Sequence, residues 1–192
     1  VKLYQQVYDI HFQANTHCIG DSANKRVLEI YGNFLKGKND KRWRIEHAQV
    51  VSPEDRTLFS KYSIIPSVQP THATSDMRWA DKRLCNTRMN GAYAYKSLLK
   101  LNGWMPLGTD FPVEDISPLK TFFAAVYRQD TKNQPMGGFQ MEEALSPKEA
   151  LLGMTLWAAR GNTMEQKIGS LEKGKLADFV ILAEDIYPEK YM

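Results

Sequence analysis

Apolar positions along the chain repeat with two periods, and each period predicts a different element. Leu3, Val7 and Ile10 stand near helical spacing, which predicts a helix within residues 2–11 running into a short strand, Phe12 to His17. Ala23, Val27, Leu28, Ile30 and Leu35 recur as one face of a helix over about 22–36, with Asp21 placed to cap it. Trp43 to His47 reads as a second strand. Ser52-Pro53-Glu54-Asp55 has the make-up of a helix start, with a capping hydroxyl, proline at the first position and acids in the first turn; that helix runs to about Tyr62. β-Branched residues dominate Ile64 to Val68 and predict a third strand. Residues 70–88 lack a strong period and read as a long loop or short helical turns. A helix over about 89–102 ends at Asn102-Gly103, and Trp104 to Leu107 forms a fourth strand leading into Gly108-Thr109-Asp110. Ser117-Pro118 opens another helix, 129–140 is polar loop, and Ser146-Pro147-Lys148-Glu149 begins the clearest helix, to about Arg160. In the tail, a Gly174-Lys175 turn followed by Asp178 to Leu182 predicts a hairpin.

Strand and helix alternate up to residue 160, which implies βα units around a parallel sheet. Four strands, near 13–17, 43–47, 64–68 and 104–108, amount to half of a closed eight-stranded barrel. The expected architecture is α/β, with a partial barrel over 1–164 and a small β-segment over 165–192. Such a half leaves two open sheet edges, so self-association through them is expected. Composition adds bounds. The 192 residues are 43% apolar and 24% charged, the profile of an ordinary soluble domain. No apolar run approaches the ~20 residues that cross a bilayer, so no membrane partner is expected. Basic residues number 25 against 22 acidic, a net charge of +3, which calls for no nucleic acid; the cluster Lys36, Lys38, Lys41, Arg42 and Arg44 reads as a solvated loop. Cys18 and Cys85 fit neither a disulfide framework nor a metal-binding pair, so free thiols in the cytoplasm are expected. The opening Val1-Lys2-Leu3-Tyr4 is neither a Met start nor a signal segment, and it reads as the interior of a longer chain.

Polar residues fall at one topological position. The first strand ends in His17, the second in His47 and the fourth runs into Asp110. In (β/α)₈ enzymes the strands' carboxyl ends converge, so these side chains would meet. Two imidazoles and a carboxylate suit a borderline divalent metal such as zinc.

Four segments carry a family resemblance: Thr16-His17-Cys18-Ile19-Gly20-Asp21, Arg44-Ile45-Glu46-His47-Ala48-Gln49, Ser67-Val68-Gln69-Pro70-Thr71-His72 and Leu107-Gly108-Thr109-Asp110-Phe111-Pro112. Together with the tail from Ile168 to Leu182, they resemble the amidohydrolase superfamily, in particular its amidohydrolase 3 group of formamide deformylase-like metal-dependent hydrolases. The resemblance implies the C-terminal half, strands 5–8, of a TIM-like (β/α)₈ barrel plus the start of a small β-sandwich. It implies His17 and His47 as metal ligands and Asp110 as both ligand and catalytic proton carrier. A divalent cation, zinc by this donor set, lowers the pKa of a bound water towards ~7. Asp110 would take the water's proton during attack on an amide-type carbonyl and pass it to the leaving nitrogen. His72 either contacts substrate or its oxyanion, or is an exposed loop histidine; Gln69 and Arg88 are further substrate contacts. The implied function is cleavage of a non-peptide C–N bond in a small amide-type molecule by a longer parent, the isolated piece being inactive. A short non-catalytic half-barrel, acting as a structural or binding module, is the alternative.

The chain also departs from that pattern. It holds four histidines and no His-x-His pair, and His11 reads as a surface or cap residue. Gly169 to Lys175 spells a phosphate loop, but a strand rather than a helix is expected after it, so no phosphate cradle forms. Cys18 reads as a small buried thiol rather than a nucleophile, and Glu46 as the partner of a cation such as Arg44.

Overall fold

Three short parallel strands carry the rest of the molecule. The structure, a computed structural model, describes residues 1–187; the last part of the tail segment expected over 165–192 lies outside the described residues. After helix α1 (Lys2–Asp9) come β1 (Asn15–Cys18), α2 (Asp21–Leu35), β2 (Arg44–His47), α3 (Thr57–Lys61) and β3 (Ile65–Ser67). The strands lie in the order β1-β2-β3, with Asn15 opposite Arg44 and Arg44 opposite Ile65. Ile45, Ile64, Ile65 and Val68 are fully buried, as expected of a parallel sheet covered on its faces. The apolar stripe of α2 (Val27, Leu28, Tyr31 and Leu35) packs into the same core. Below the strands' amino ends Trp43 is buried among Tyr4, Tyr8, Tyr31 and Phe34, and its indole N–H donates to the Phe12 carbonyl at 3.0 Å.

The fourth strand is reduced to a single parallel bridge between Val68 and Leu107. Its backbone explains why. Pro106 has no N–H to give β3 a ladder, while the Leu107 N–H, on the side away from β3, donates to Gly153 at 3.0 Å. Val68 N–H to Pro106 and Gly108 N–H to Val68, at 3.2 and 3.0 Å, still hold the segment beside β3. Strand order therefore survives where the strand itself does not.

Residues 70–88, expected as a long loop or short helical turns, form α4 (Thr71–Asp76) and most of α5 (Ala80–Met89), which is kinked at Cys85. The helix expected over 89–102 is confined to α6 (Tyr95–Asn102). Its first residues are diverted, because Val51 N–H donates to Gly91 at 2.8 Å and Tyr93 N–H to Gln49 at 2.7 Å. α7 (Pro118–Tyr127) follows as expected. The helix expected from Ser146 to Arg160 is two, α8 (Pro147–Met154) and α9 (Leu156–Gly161), broken at Thr155 with φ −120° and ψ −92°.

The tail hairpin does not form among the described residues: 171–182 have no strand, and Phe179, Val180 and Ile181 are exposed. A strand needs a partner ladder, and the described chain offers these residues none. The basic cluster also differs from expectation. Lys36 and Lys38 are exposed, but Arg42 pairs with Glu165 at 2.7 Å and donates to the Arg160 carbonyl, while Arg44 pairs with Glu46 and donates to Asn162 at 3.0 Å. These two arginines tie α9 and the start of the tail to the amino ends of the strands.

Candidate metal centre

Site residues gather at the opposite, carboxyl end of the sheet. His17 is the third residue of β1 and His47 the last of β2; His72 stands in the first turn of α4 just beyond β3, and Asp110 follows the Leu107 bridge. Both strand exits are sharp: φ is +75° at His47, +43° at Ala48 and +62° at Asp110. Left-handed φ at non-glycine residues costs about 1 kcal/mol or more and clusters at functional sites. Asn24, fully buried on α2, clamps the exits of β1 and β2 together. Its side-chain amide donates to the carbonyls of Cys18, Gly20 and Val50 at 3.2, 2.9 and 3.1 Å.

His47, His72 and Asp110 each offer a ligand atom, and these atoms all lie within 4.8 Å of one another. The His17 ring stands edge-on to that of His47, centroids 4.4 Å apart, and the His72 ring lies 5.5 Å from His47 on the same measure. The expected trio of His17, His47 and Asp110 thus shares two members with the trio the geometry brings together, and His72 takes the third place. His72 Nε2 is 3.0 Å from Asp110 Oδ2.

His47 is 8% exposed, and its Nδ1 is buried with no hydrogen-bond partner among the described residues. Burial first, then the neighbouring His17, push its imidazole below the usual histidine range, which keeps it in the neutral form that ligates a cation. An orphaned buried nitrogen beside a second imidazole and a carboxylate fits a borderline divalent cation with an open coordination position.

Gln69 is buried, and its Oε1 also lacks a partner among the described residues. Arg88 is not brought to the trio: its guanidinium takes both oxygens of Asp21, at 2.7 and 2.9 Å, at the start of α2. Cys18 is buried, and that burial pushes its thiol up to about 11, the state of an inert packing residue.

Two further groups escape the sequence reading. Glu114 faces His72 Nδ1 at 3.4 Å; the sequence signal for it was its four-residue spacing from Asp110, whose carbonyl accepts the Glu114 N–H. Asp76, one turn beyond His72 on α4, accepts from Gln49 Nε2 at 2.8 Å and the Tyr93 hydroxyl at 2.9 Å. Burial raises its carboxyl above the ordinary range despite those donors. It was hidden because 70–88 has no helical period. Between α4 and α7 lies a cavity of about 500 Å³ whose lining includes Ser75, Glu114, Leu119 and Phe123.

The molecule superposes on metal-dependent hydrolases of known structure. A crystal structure of an uncharacterized metal-dependent hydrolase from Pyrococcus horikoshii matches with a TM-score of 0.81 and 28% identity, over 96% of this chain and 36% of the other. The sequence pattern of the Amidohydrolase family matches residues 2–188, and the chain belongs to that family. Protein LONG AFTER FAR-RED 3 of Arabidopsis thaliana is 38% identical over 180 residues, 92% of this chain and 30% of the relative. N-substituted formamide deformylase of Arthrobacter pascens is 25% identical over 174 residues, 88% of this chain and 31% of the relative. The chain thus spans about a third of the length of these relatives. Among the described residues no helix is long and apolar enough to cross a membrane.

Proposed function

We propose that these residues form one side of the active site of a zinc-dependent amidohydrolase that cleaves a non-peptide C–N bond in a small amide-type molecule. They correspond to strands 5–8 of the barrel, and the rest of the ligand set comes from outside the 192 residues. The observation that carries the reading is the convergence of His47, His72 and Asp110 within 4.8 Å, with His17 against His47. Zinc, when bound, supplies Lewis acidity and lowers the pKa of water towards ~7. His47 and His17 offer nitrogen ligands. Asp110, 3.0 Å from His72, accepts the proton of the attacking water and returns it to the departing nitrogen. Gln69 offers its unpaired carbonyl oxygen to a substrate N–H, and the α4–α7 cavity takes the substituent on the nitrogen. The C–N assignment draws on the formamide deformylase relative, and the cytoplasmic setting on the two free cysteines.

The test is hydrolysis of N-substituted formamides, lactams and ureas by the full-length protein. Amine release that stops on chelation, returns with zinc and falls in H47A is expected. Turnover indifferent to chelation and to H47A would overturn the reading.

A further inference from the structure

Two donors converge on one half-buried carboxylate that the proposed reaction does not use. Asp76 closes α4, one turn beyond His72 and on the same face. Its Oδ2 accepts from Gln49 Nε2 at 2.8 Å and from the Tyr93 hydroxyl at 2.9 Å. Gln49 follows the sharp turn at His47 and Ala48, and its backbone is held as well as its side chain: its carbonyl accepts the Tyr93 N–H at 2.7 Å. Gln49 and Tyr93 are both buried, so water has little access to this joint.

Packing alone does not call for a carboxyl group here. Both of its partners are neutral, and a carboxyl taken from water against neutral donors carries a desolvation cost. Its acceptor oxygen connects two elements that carry candidate ligands. α4 hangs from β3 at its amino end, where the His72 N–H donates to Gln69 at 3.1 Å. At its other end, Asp76 ties it to the exit of β2. A closed path then runs from His47 through Ala48 and Gln49 to Asp76, and back along one helical turn to His72. We infer that Asp76 is a positioning residue of the metal centre: through Gln49 and Tyr93 it fixes α4 against the β2 exit, and so sets the separation of the His47 and His72 rings, whose centroids lie 5.5 Å apart. Oδ2 accepts both bonds whether or not the other oxygen carries a proton, so the joint does not depend on the charge of the carboxyl. The inference rests on the reading of His47, His72 and Asp110 as the metal centre.

The experiment uses the full-length protein, with zinc affinity measured against a competing chelator and the visible spectrum of the cobalt(II)-loaded protein as a gauge of ligand geometry. D76A is expected to weaken zinc binding by about 10-fold, the low end for groups that act on a metal through its ligands, and to shift the cobalt bands. D76N keeps an acceptor oxygen for both donors and should retain the wild-type affinity and spectrum. Q49A should move both readouts in the direction of D76A, and the D76A/Q49A double variant should fall no further than the worse single one, as two halves of one joint require. A lower thermal midpoint in D76A and Q49A with unchanged zinc affinity and cobalt spectrum is the mark of a packing role and overturns the inference, and losses that add in full in the double variant overturn it too. In either case, weakened zinc binding in H47A shows that the centre itself stands. If H47A binds zinc as the wild type does, the centre falls and the inference with it. Should D76A lose its folded circular-dichroism signal, Q49A decides alone by the same two readouts.

Discussion

Asp110 combines two properties in one residue: a carboxylate 3.0 Å from an imidazole, and a backbone φ of +62°. Asparagine enters the left-handed region as readily as aspartate, so D110N separates chemistry from fold. We predict that D110N in the full-length protein keeps its thermal midpoint and loses at least about 100-fold in turnover, the usual share of a proton-transferring group. A variant that keeps its turnover would show that the proton travels elsewhere. Asn24 is the structural counterpart. Its amide is fully buried and serves carbonyls on two strand exits, so Asn24→Ala leaves those acceptors dry and unpaired. The expected cost is about 1–3 kcal/mol, read as a lower urea midpoint with an unchanged slope. Because the exits carry His17 and His47, zinc affinity should fall with it.

Among the elements, α8 shows how local chemistry sets a helix start. Ser146 accepts from the Glu149 N–H at 3.3 Å, and Glu149 accepts from the Ser146 N–H at 2.8 Å, the reciprocal capping pair the sequence spells. Burial works to raise the Glu149 carboxyl, but Lys96 and the Ser146 donors outweigh it and hold the carboxyl below its ordinary range. A depressed folded-state pKa contributes stability that is complete above the unfolded value near ~4.3 and is lost as pH falls through the folded one. E149Q should therefore lower stability by about 1–2 kcal/mol at neutral pH, and the gap to wild type should close on acidification below that value. Paired urea titrations across that range check it; a gap that widens in acid would contradict the assignment. The same element explains what the sequence leaves unreadable. Capping residues, the stripe of α2 and the β-branched strands are local signals, and they located α2, the starts of α7 and α8, and the second and third strands to within a residue or two, and the first strand to within three. The fourth strand is cut short locally, since Pro106 has no N–H to offer β3, but the partner that Leu107 finds is Gly153, almost fifty residues away. Gln49 and Val51 likewise capture residues 91–93 before α6 can begin. At the site, His47 and Asp110 were legible because strand ends converge in such folds. His72 was left between two readings because its helix has no apolar period, and Glu114 had only its four-residue spacing from Asp110 to mark it.

At the scale of the whole molecule, the sheet is open. β1 pairs with β2 alone, and beyond β3 there is one bridge instead of a ladder among the described residues. Exposed strand edges recruit further strands unless charge, proline or a covering element blocks them. Pro66 and Pro106 both lie on the β3 side, and β1 is uncharged apart from its imidazole. We propose that the 192 residues self-associate through these margins. The tail is a competing cause, because Leu171, Leu176, Phe179, Val180 and Ile181 are exposed together. Replacing Val180 and Ile181 by lysine separates the two. If the margins carry the contact, sedimentation velocity will show mass rising with concentration in both wild type and the double variant. If the tail carries it, the double variant alone will be monomeric. A wild-type chain that stays monomeric across a wide concentration range would overturn the proposal and mean that α1, whose Tyr4 hydroxyl lies 3.0 Å from Thr16 Oγ1 on β1, shields the edge.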